Sequence, residues 1–245
     1  MFDLFDFDLP GAVTQHLKKR LQLTRSSLLT QEALRNLGEF QERHKLWHGV
    51  YQLLLKDKVV YLWKAADVRK QLEQHYWKLR ARQKIKMKDV RFRCLVLHRN
   101  WSTITNEDLL IAHYKSKGQS KWNGSGFGAK DVGRERDGTE PNWFDSEYPI
   151  NADYPCEDIP DRPAVRELAQ SLKKQLPFTF RYEDPKADGV KPLDLQGVPR
   201  TARALIGKIV AALGPQWQAT IFVSHIILYR EQRSYKHGQA LLSTD

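Results

Sequence analysis

The sequence predicts an α+β fold, with a small mixed or antiparallel sheet flanked by helices and an α/β region at the C-terminal end. Three observations support this class. Apolar runs that begin at Gly49 and Val60 flank the polar turn 56–58, which is typical of a β-hairpin. Apolar residues recur at helical spacing over residues 27–45 and about 67–83. Apolar and basic residues alternate over residues 89–98, as in a strand with one buried face.

The predicted elements follow one another in three parts. Residues 1–26 are expected to form an N-terminal arm, and residues 27–160 a domain that contains the hairpin. Within that domain, residues 122–163 are rich in Gly, Pro, Asp and Asn and predict a long ordered loop anchored by aromatic side chains. Residues 161–245 are either an accessory recognition region or an extension of the same sheet. Their patterns predict helices at 163–176 and 201–213, and strands at 178–182 and 218–229.

Composition restricts the class of protein. The chain has 245 residues, of which 41% are hydrophobic, so it can bury a substantial core. It contains no run of eighteen apolar residues, and we expect no membrane span. Its first residues are acidic and apolar, unlike a secretory signal. Cys94 and Cys156 lie far apart, which argues against a disulfide framework or a zinc site and favours the cytoplasm.

The net charge of +11 is concentrated in one block. Residues 64–99 contain twelve Lys or Arg residues and only three acidic ones. Such a block suits a polyanion, although a charge run alone is also typical of a solvated helix face. Because the block overlaps the hairpin and its following helix, we favour nucleic acid as the partner.

The hairpin carries a tyrosine on each strand. If Tyr51 and Tyr61 are paired, a three-residue loop of Leu55, Lys56 and Asp57 connects the strands. Directly paired residues point to the same face of a sheet, so the two phenol groups should lie side by side. Lys64 and a helix follow at once.

Five short segments in this order resemble the GIY-YIG nuclease superfamily, and most closely its type II restriction endonucleases. The segments are Gly49-Val50-Tyr51, Tyr61-Leu62-Trp63 with Lys64-Ala65, His75, Glu107 at the start of a helix, and Asn123 followed by Gly126-Phe127-Gly128. The resemblance covers roughly residues 28–150.

The resemblance implies a Mg²⁺-dependent DNA endonuclease with a role in restriction or anti-phage defence. The catalytic residues that it implies are Tyr51, Tyr61, Lys64, His75, Glu107 and Asn123, with Glu107 as the metal ligand. The candidates for DNA contacts are Trp63, Arg69, Lys70, Lys78, Arg82, Lys84 and Lys86. Duplex DNA is the expected partner, a homo-oligomer or a larger defence complex is compatible with this function, and no membrane partner is expected.

The chain departs from the family pattern at two positions. Trp63 stands where YIG has glycine, and Gln71 stands where the helix arginine is expected. A second hypothesis is therefore a degenerate domain that binds nucleic acid for a partner enzyme and cuts nothing. A third is a structural or assembly protein whose basic surface meets an acidic partner.

Overall fold

A computed structural model describes residues 8–98, 119–129, 131 and 133–241. It confirms the α+β class, since the described strands form two sheets that are accompanied by helices. The chain divides into two compact units, one made of residues 1–80 and 85–128, the other of residues 81–84 and 129–245. No described helix has both the length and the apolar character that crossing a membrane requires.

The first unit is built on an antiparallel sheet. Its helices and strands are α1 Leu9–Leu23, β1 Ser27–Leu28, α2 Gln31–His44, β2 Gly49–Leu55, β3 Lys58–Ala65, α3 Val68–Arg80 and β4 Val90–Val96. The sheet order is β1-β4-β2-β3. A short 3₁₀ turn at Met87–Asp89 leads into β4.

The hairpin is confirmed, but its predicted register is wrong. Lys56 and Asp57 both have positive φ angles, 50° and 61°, so they form a two-residue turn instead of the three-residue loop. Tyr51 consequently pairs with Trp63, and Tyr61 with Leu53. An irregularity next to Leu53 adjusts the register near the turn. The offset between the tyrosines is two residues, which leaves them on the same face.

Helices cover both faces of this sheet. On one face, Leu21 of α1 packs with Val50, Leu54 and Leu62. Residues 9–23 are thus a packed helix and not a loose arm, and the spacing of its buried Val13, Leu17 and Leu21 by four residues explains why. On the other face, α3 buries Val68, Leu72, His75 and Leu79.

Gly49 permits the close approach of three elements. A Cβ atom at this position would clash with the Leu95 carbonyl oxygen and stand 2.9 Å from Cγ2 of Val68. Glycine therefore lets β2 begin against both β4 and the first turn of α3.

The second unit has its own mixed sheet. Its helices and strands are α4 Trp143–Glu147, α5 Val165–Gln175, β5 Thr179–Tyr182, α6 Ala202–Leu213, β6 Gln218–Phe222, β7 His225–Tyr229 and β8 Gly238–Leu241, with 3₁₀ turns at Gly133–Gly138 and Lys186–Val190. The sheet order is β5-β7-β6-β8, and β5 is parallel to β7. Residues of α5 and α6 form its core with the sheet, among them Leu168, Leu172, Ile206, Ile209 and Ile226.

This unit corrects two expectations. The single strand predicted over 218–229 is an antiparallel pair with a turn at Val223 and Ser224, a turn that contains neither glycine nor proline. The boundary expected at residue 160 lies instead after Gly128. The reason is that Ile150, Ala152 and their neighbours up to Cys156 pack into the core of the second unit.

Candidate functional site

The face of the hairpin that is covered by α3 brings together two tyrosines and a histidine. The Tyr51 hydroxyl lies 2.7 Å from Nε2 of His75. The ring centroids of Tyr51 and Tyr61 are 6.1 Å apart, and those of Tyr61 and His75 are 5.5 Å apart. Tyr51 is fully buried and His75 is only 4% exposed. Three of the six catalytic residues expected from the sequence therefore meet at one point.

Burial keeps Tyr51 and His75 uncharged. Desolvation raises the pKa of the Tyr51 phenol far above its ordinary value, and the neighbouring Tyr61 raises it further. Desolvation, and then the positive charge of Lys78, lower the pKa of His75 to about 3. At neutral pH a neutral phenol is therefore hydrogen-bonded to a neutral imidazole.

Asn123 joins the 120–128 loop to the hairpin. Its side-chain oxygen accepts a hydrogen bond from the Leu62 N–H at 3.0 Å, and its side-chain nitrogen donates to the Leu62 carbonyl at 2.8 Å. The backbone N–H groups of Ser120 and Trp122 also donate to β3, at the carbonyls of Val59 and Val60. The Asn123 amide thus positions the loop.

Phe127 closes the aromatic cluster from the loop side. Its ring stacks on His75 with centroids 4.7 Å apart, and it meets Tyr61 edge to face at 4.8 Å. Lys78 of α3 donates a hydrogen bond to the Phe127 carbonyl, and its ammonium lies 5.0 Å from the centre of the Phe127 ring. In addition to burial, the charge of Lys78 lowers the pKa of His75.

Gly128 passes close to Tyr61, and this approach is possible because glycine has no side chain. A Cβ atom there would stand 2.9 Å from the Tyr61 hydroxyl oxygen. The Gly-Phe-Gly sequence thus places an aromatic ring over the histidine while the backbone passes the phenol. The sequence identified Phe127 as an anchor of the loop but did not predict its stacking on His75, and the flanking glycines are the signal for it.

Trp63 occupies the open side of the cluster. It lies directly opposite Tyr51 in the hairpin and stacks on Tyr61 with centroids 6.1 Å apart and a ring angle of 17°. It is 39% exposed. The bulky side chain at the YIG glycine position therefore forms a wall of the site and leaves an aromatic face toward solvent.

Other candidates of the sequence lie away from the cluster. Strand alternation places Lys64 on the face of Leu62, opposite to Tyr61. Arg69 pairs with Glu73 and Lys70 with Asp67, where α3 borders a groove of about 580 Å³ beside α2. Lys84 and Lys86 are exposed.

Arg82, a predicted DNA contact, is buried within the second unit. Arg82 belongs to the second unit, where its guanidinium is buried against Asp145 at 2.8 Å and donates to the Tyr148 carbonyl. A guanidinium that is buried with these partners stabilises the fold and is not available to bind a ligand.

Glu107, the metal ligand that the resemblance implies, lies outside the described residues. Within the described residues, no group of three or more His, Cys, Asp or Glu side chains could hold a metal ion. The described groups of the cluster are phenols, an imidazole and an ammonium, whereas Mg²⁺ prefers carboxylate and water oxygens. These groups alone do not fit Mg²⁺.

Comparison of the chain with models of known protein families and with curated proteins finds no match.

Proposed function

We propose that the chain is a DNA endonuclease of GIY-YIG type that hydrolyses phosphodiester bonds at the cluster of Tyr51, Tyr61 and His75. The contact between the Tyr51 hydroxyl and His75 Nε2 carries the proposal. It joins two residues that lie 24 positions apart in the sequence and that the resemblance names as catalytic. The order of the motifs and the basic block of residues 64–99 support nucleic acid as the substrate.

The neutral pair suits a proton relay. Tyr51 is buried in the free protein, so in this relay a water that enters with the substrate would give its proton to the Tyr51 oxygen while the phenol passes its own proton to His75 Nε2. The water then attacks phosphorus as hydroxide, and the imidazole holds the proton. The phenol stays neutral throughout, which agrees with the raised pKa of Tyr51.

Substrate binding favours this transfer. The imidazolium is disfavoured in the free protein, where the pKa of His75 is about 3. A phosphate beside the ring supplies an opposite charge, which raises the pKa of a histidine. The base therefore becomes effective once the phosphodiester is in place.

Lys78 is the cation that we assign to the phosphate. Of the site candidates Lys64, Lys78 and Arg82, Lys64 lies on the opposite face and Arg82 is buried with Asp145. Lys78 is held against Phe127 and acts electrostatically on His75. An ammonium at this point stabilises negative charge that develops on the phosphoryl oxygens.

In this proposal Mg²⁺ would be bound by Glu107, the metal ligand that the resemblance implies. When bound, the ion would polarise the phosphoryl group and assist the leaving oxygen. The described residues would supply the phenol that binds the water, the base and the cation, but not the metal ligand.

A second function is favoured by Trp63 and Gln71. The exposed ring of Trp63 suits stacking on a base, and Gln71 brings no charge to the phosphate. In this alternative the domain binds nucleic acid for a partner enzyme and does not cut it.

Plasmid DNA distinguishes the two functions. We expect the purified protein to nick or linearise it with Mg²⁺ and not with a chelator, and we expect Tyr51→Phe, His75→Gln and Glu107→Ala each to lower the rate strongly. Tyr76→Phe is the matched control, because Tyr76 lies on α3 beside the α2 groove and should leave cutting unchanged. Binding without cutting by the wild type would support the second function. Cutting that survives both His75→Gln and Glu107→Ala would place the active site elsewhere.

A further inference from the structure

Ser224, His225 and Asp137 lie in a hydrogen-bonded row in the second unit. Oγ of Ser224 is 2.7 Å from Nδ1 of His225, and Nε2 of His225 is 2.7 Å from Oδ1 of Asp137. His225 and Asp137 are buried, whereas Ser224 at the β6–β7 turn is half-buried. Serine, imidazole and carboxylate in this order are the groups that activate a serine hydroxyl for nucleophilic attack.

Asp137 fixes the imidazole in the form that a base requires. Its carboxylate accepts hydrogen bonds from the Tyr229 hydroxyl at 3.2 Å and from the Arg181 guanidinium. Because a carboxylate only accepts, His225 must donate to it through Nε2–H. The Nδ1 lone pair therefore faces the Ser224 hydroxyl.

The ring of His225 is held in place and is uncharged at neutral pH. It stacks on Phe222 with centroids 4.4 Å apart and a ring angle of 8°. Burial, followed by the charge of Arg181, lowers the pKa of His225, while Asp137 acts in the opposite direction and Arg136 adds to the lowering. The imidazole is thus available to take a proton from serine.

Arg136 lies beside the nucleophile. Its Nε is 3.3 Å from Ser224 Oγ, and the other end of its guanidinium is paired with the buried Asp145. Arg136 therefore donates to the Ser224 oxygen and places a fixed positive charge beside it, which favours the negative charge that forms when a carbonyl is attacked there. The small cleft at Ser224 is bordered by residues that include Thr139, Phe222 and His237.

We propose that Ser224, His225 and Asp137 form a second catalytic centre that hydrolyses small carboxylic esters. Ser224 Oγ bonds to the acyl carbon, its proton passes to His225 Nδ1, and the carbonyl electron pair moves to the oxygen beside Arg136. The tetrahedral adduct collapses, and the alcohol leaves with the proton from Nδ1. Water then attacks the acyl group, gives its proton to Nδ1, and releases the carboxylic acid as Ser224 recovers its proton.

An alkyl fluorophosphonate tests the nucleophile directly. The serine oxygen displaces fluoride from phosphorus, and the departing proton is taken by His225, so a stable adduct marks an activated serine. We expect intact-protein and peptide mass spectrometry to place the adduct on Ser224 of the full chain. We also expect Ser224→Ala to lower labelling and p-nitrophenyl acetate hydrolysis at least tenfold. Ser146→Ala is the matched control, since Ser146 is exposed in the same unit and its hydroxyl donates to the Asn142 carbonyl.

Two results would overturn the proposal. One is a wild-type protein without an adduct at Ser224, and the other is hydrolysis that is equal in wild type and Ser224→Ala. Neither depends on whether a buried variant folds, because wild type carries the labelling readout and Ser224 lies at a turn. The outcome is also independent of DNA cleavage.

Asp137 acts through His225 and is a positioning residue, so its test needs a pH profile. The carboxylate raises the pKa of His225 against the lowering by Arg181 and Arg136. Asp137→Asn should therefore slow labelling and move the acid limb of its rate to lower pH. A slower reaction with an unmoved acid limb would indicate a structural effect alone and would contradict the role of Asp137.

Discussion

At the scale of single residues, burial decides what His75 and Tyr51 can do. A surface histidine has a pKa near ~6.5 and is partly charged near neutral pH. His75 is buried under Phe127 and beside Lys78, so its pKa falls to about 3. In the proposed mechanism, His75 would therefore accept a proton only once a negatively charged substrate is bound.

This shift of the His75 pKa has a consequence for stability. The folded protein holds His75 neutral, whereas the unfolded chain protonates it below pH ~6.5. The contribution of His75 to stability is therefore present above that pH and is lost as the pH falls toward about 3. From pH 8 to pH 5 the free energy of unfolding should decrease by about 2 kcal/mol more in wild type than in His75→Gln. NMR of the His75 ring should show no protonation at pH 5, and a midpoint near 6 would contradict the burial argument.

Lys78 gives a second prediction at this scale. Lys78→Met should slow DNA cutting by roughly two orders of magnitude, because a donor to developing charge typically contributes about 3 kcal/mol. It should also raise the pKa of His75, since the lysine charge lowers it. Lys174→Met is the control, because Lys174 is an exposed lysine of α5 and is not a candidate DNA contact. Equal rates for the two variants would remove Lys78 from the site.

At the scale of elements, the register and the glycines position the cluster. Gly49 starts β2 where α3 and β4 meet, and the two-residue turn sets Tyr51 opposite Trp63. The rings of Tyr51, Tyr61 and His75 lie together because the register of the hairpin positions the tyrosines and the packing of α3 positions the histidine.

Gly49→Ala should therefore be severely destabilising. The added methyl group meets the Leu95 backbone, which cannot rotate away as a side chain can. Overpacking of this kind costs about 1–3 kcal/mol or more. Gly138→Ala is the matched control, because nothing lies within 4 Å of a Cβ atom there. Urea unfolding of both variants provides the measurement, and equal midpoints would show that the sheet relaxes around residue 49.

The sequence predicted most of these elements because periodicity is local. The stripe of Val68, Leu72 and Leu79 located α3, and alternation located β4. The sequence missed the turn at Val223 and Ser224, where no glycine or proline signals a reversal. It also missed the burial of Arg82, since its ion pair with Asp145 spans 63 positions. Local sequence periodicity places residues on helices and strands. Ion pairs with residues that are distant in the sequence decide which charged side chains remain available to bind a ligand.

At the scale of the whole molecule, the chain contains two units whose boundaries in sequence are interleaved. Residues 81–84 lie between α3 and β4 of the first unit but belong to the second. Arg82 supplies the buried partner of Asp145, so a fragment that begins at residue 129 lacks it.

Arg82→Ala should therefore destabilise the second unit and leave DNA affinity unchanged. Removal of one partner of a buried ion pair costs about 3–5 kcal/mol where the other charge is left unpaired, and the cost here should be smaller because Asp145 keeps its ion pair with Arg136. Arg80→Ala, an exposed change two residues away, should alter stability by less than about 0.5 kcal/mol. Thermal unfolding measures the stability of both variants, and titration with DNA measures their affinity. A loss of affinity in Arg82→Ala without a loss of stability would restore Arg82 as a DNA contact.

The two hydrogen bonds between Asn123 and Leu62 also cover part of the edge of the sheet, which should affect the solubility of the protein. β3 is the last strand of its sheet among the described residues, and such strands offer unpaired N–H and C=O groups to other chains. The Asn123 amide occupies both backbone groups of Leu62, and the loop occupies the carbonyls of Val59 and Val60. The loop thereby shields the sheet from intermolecular strand pairing. Asn123→Ala should increase aggregation on storage, as measured by light scattering, while Asn142→Ala, which removes the cap of α4, should not.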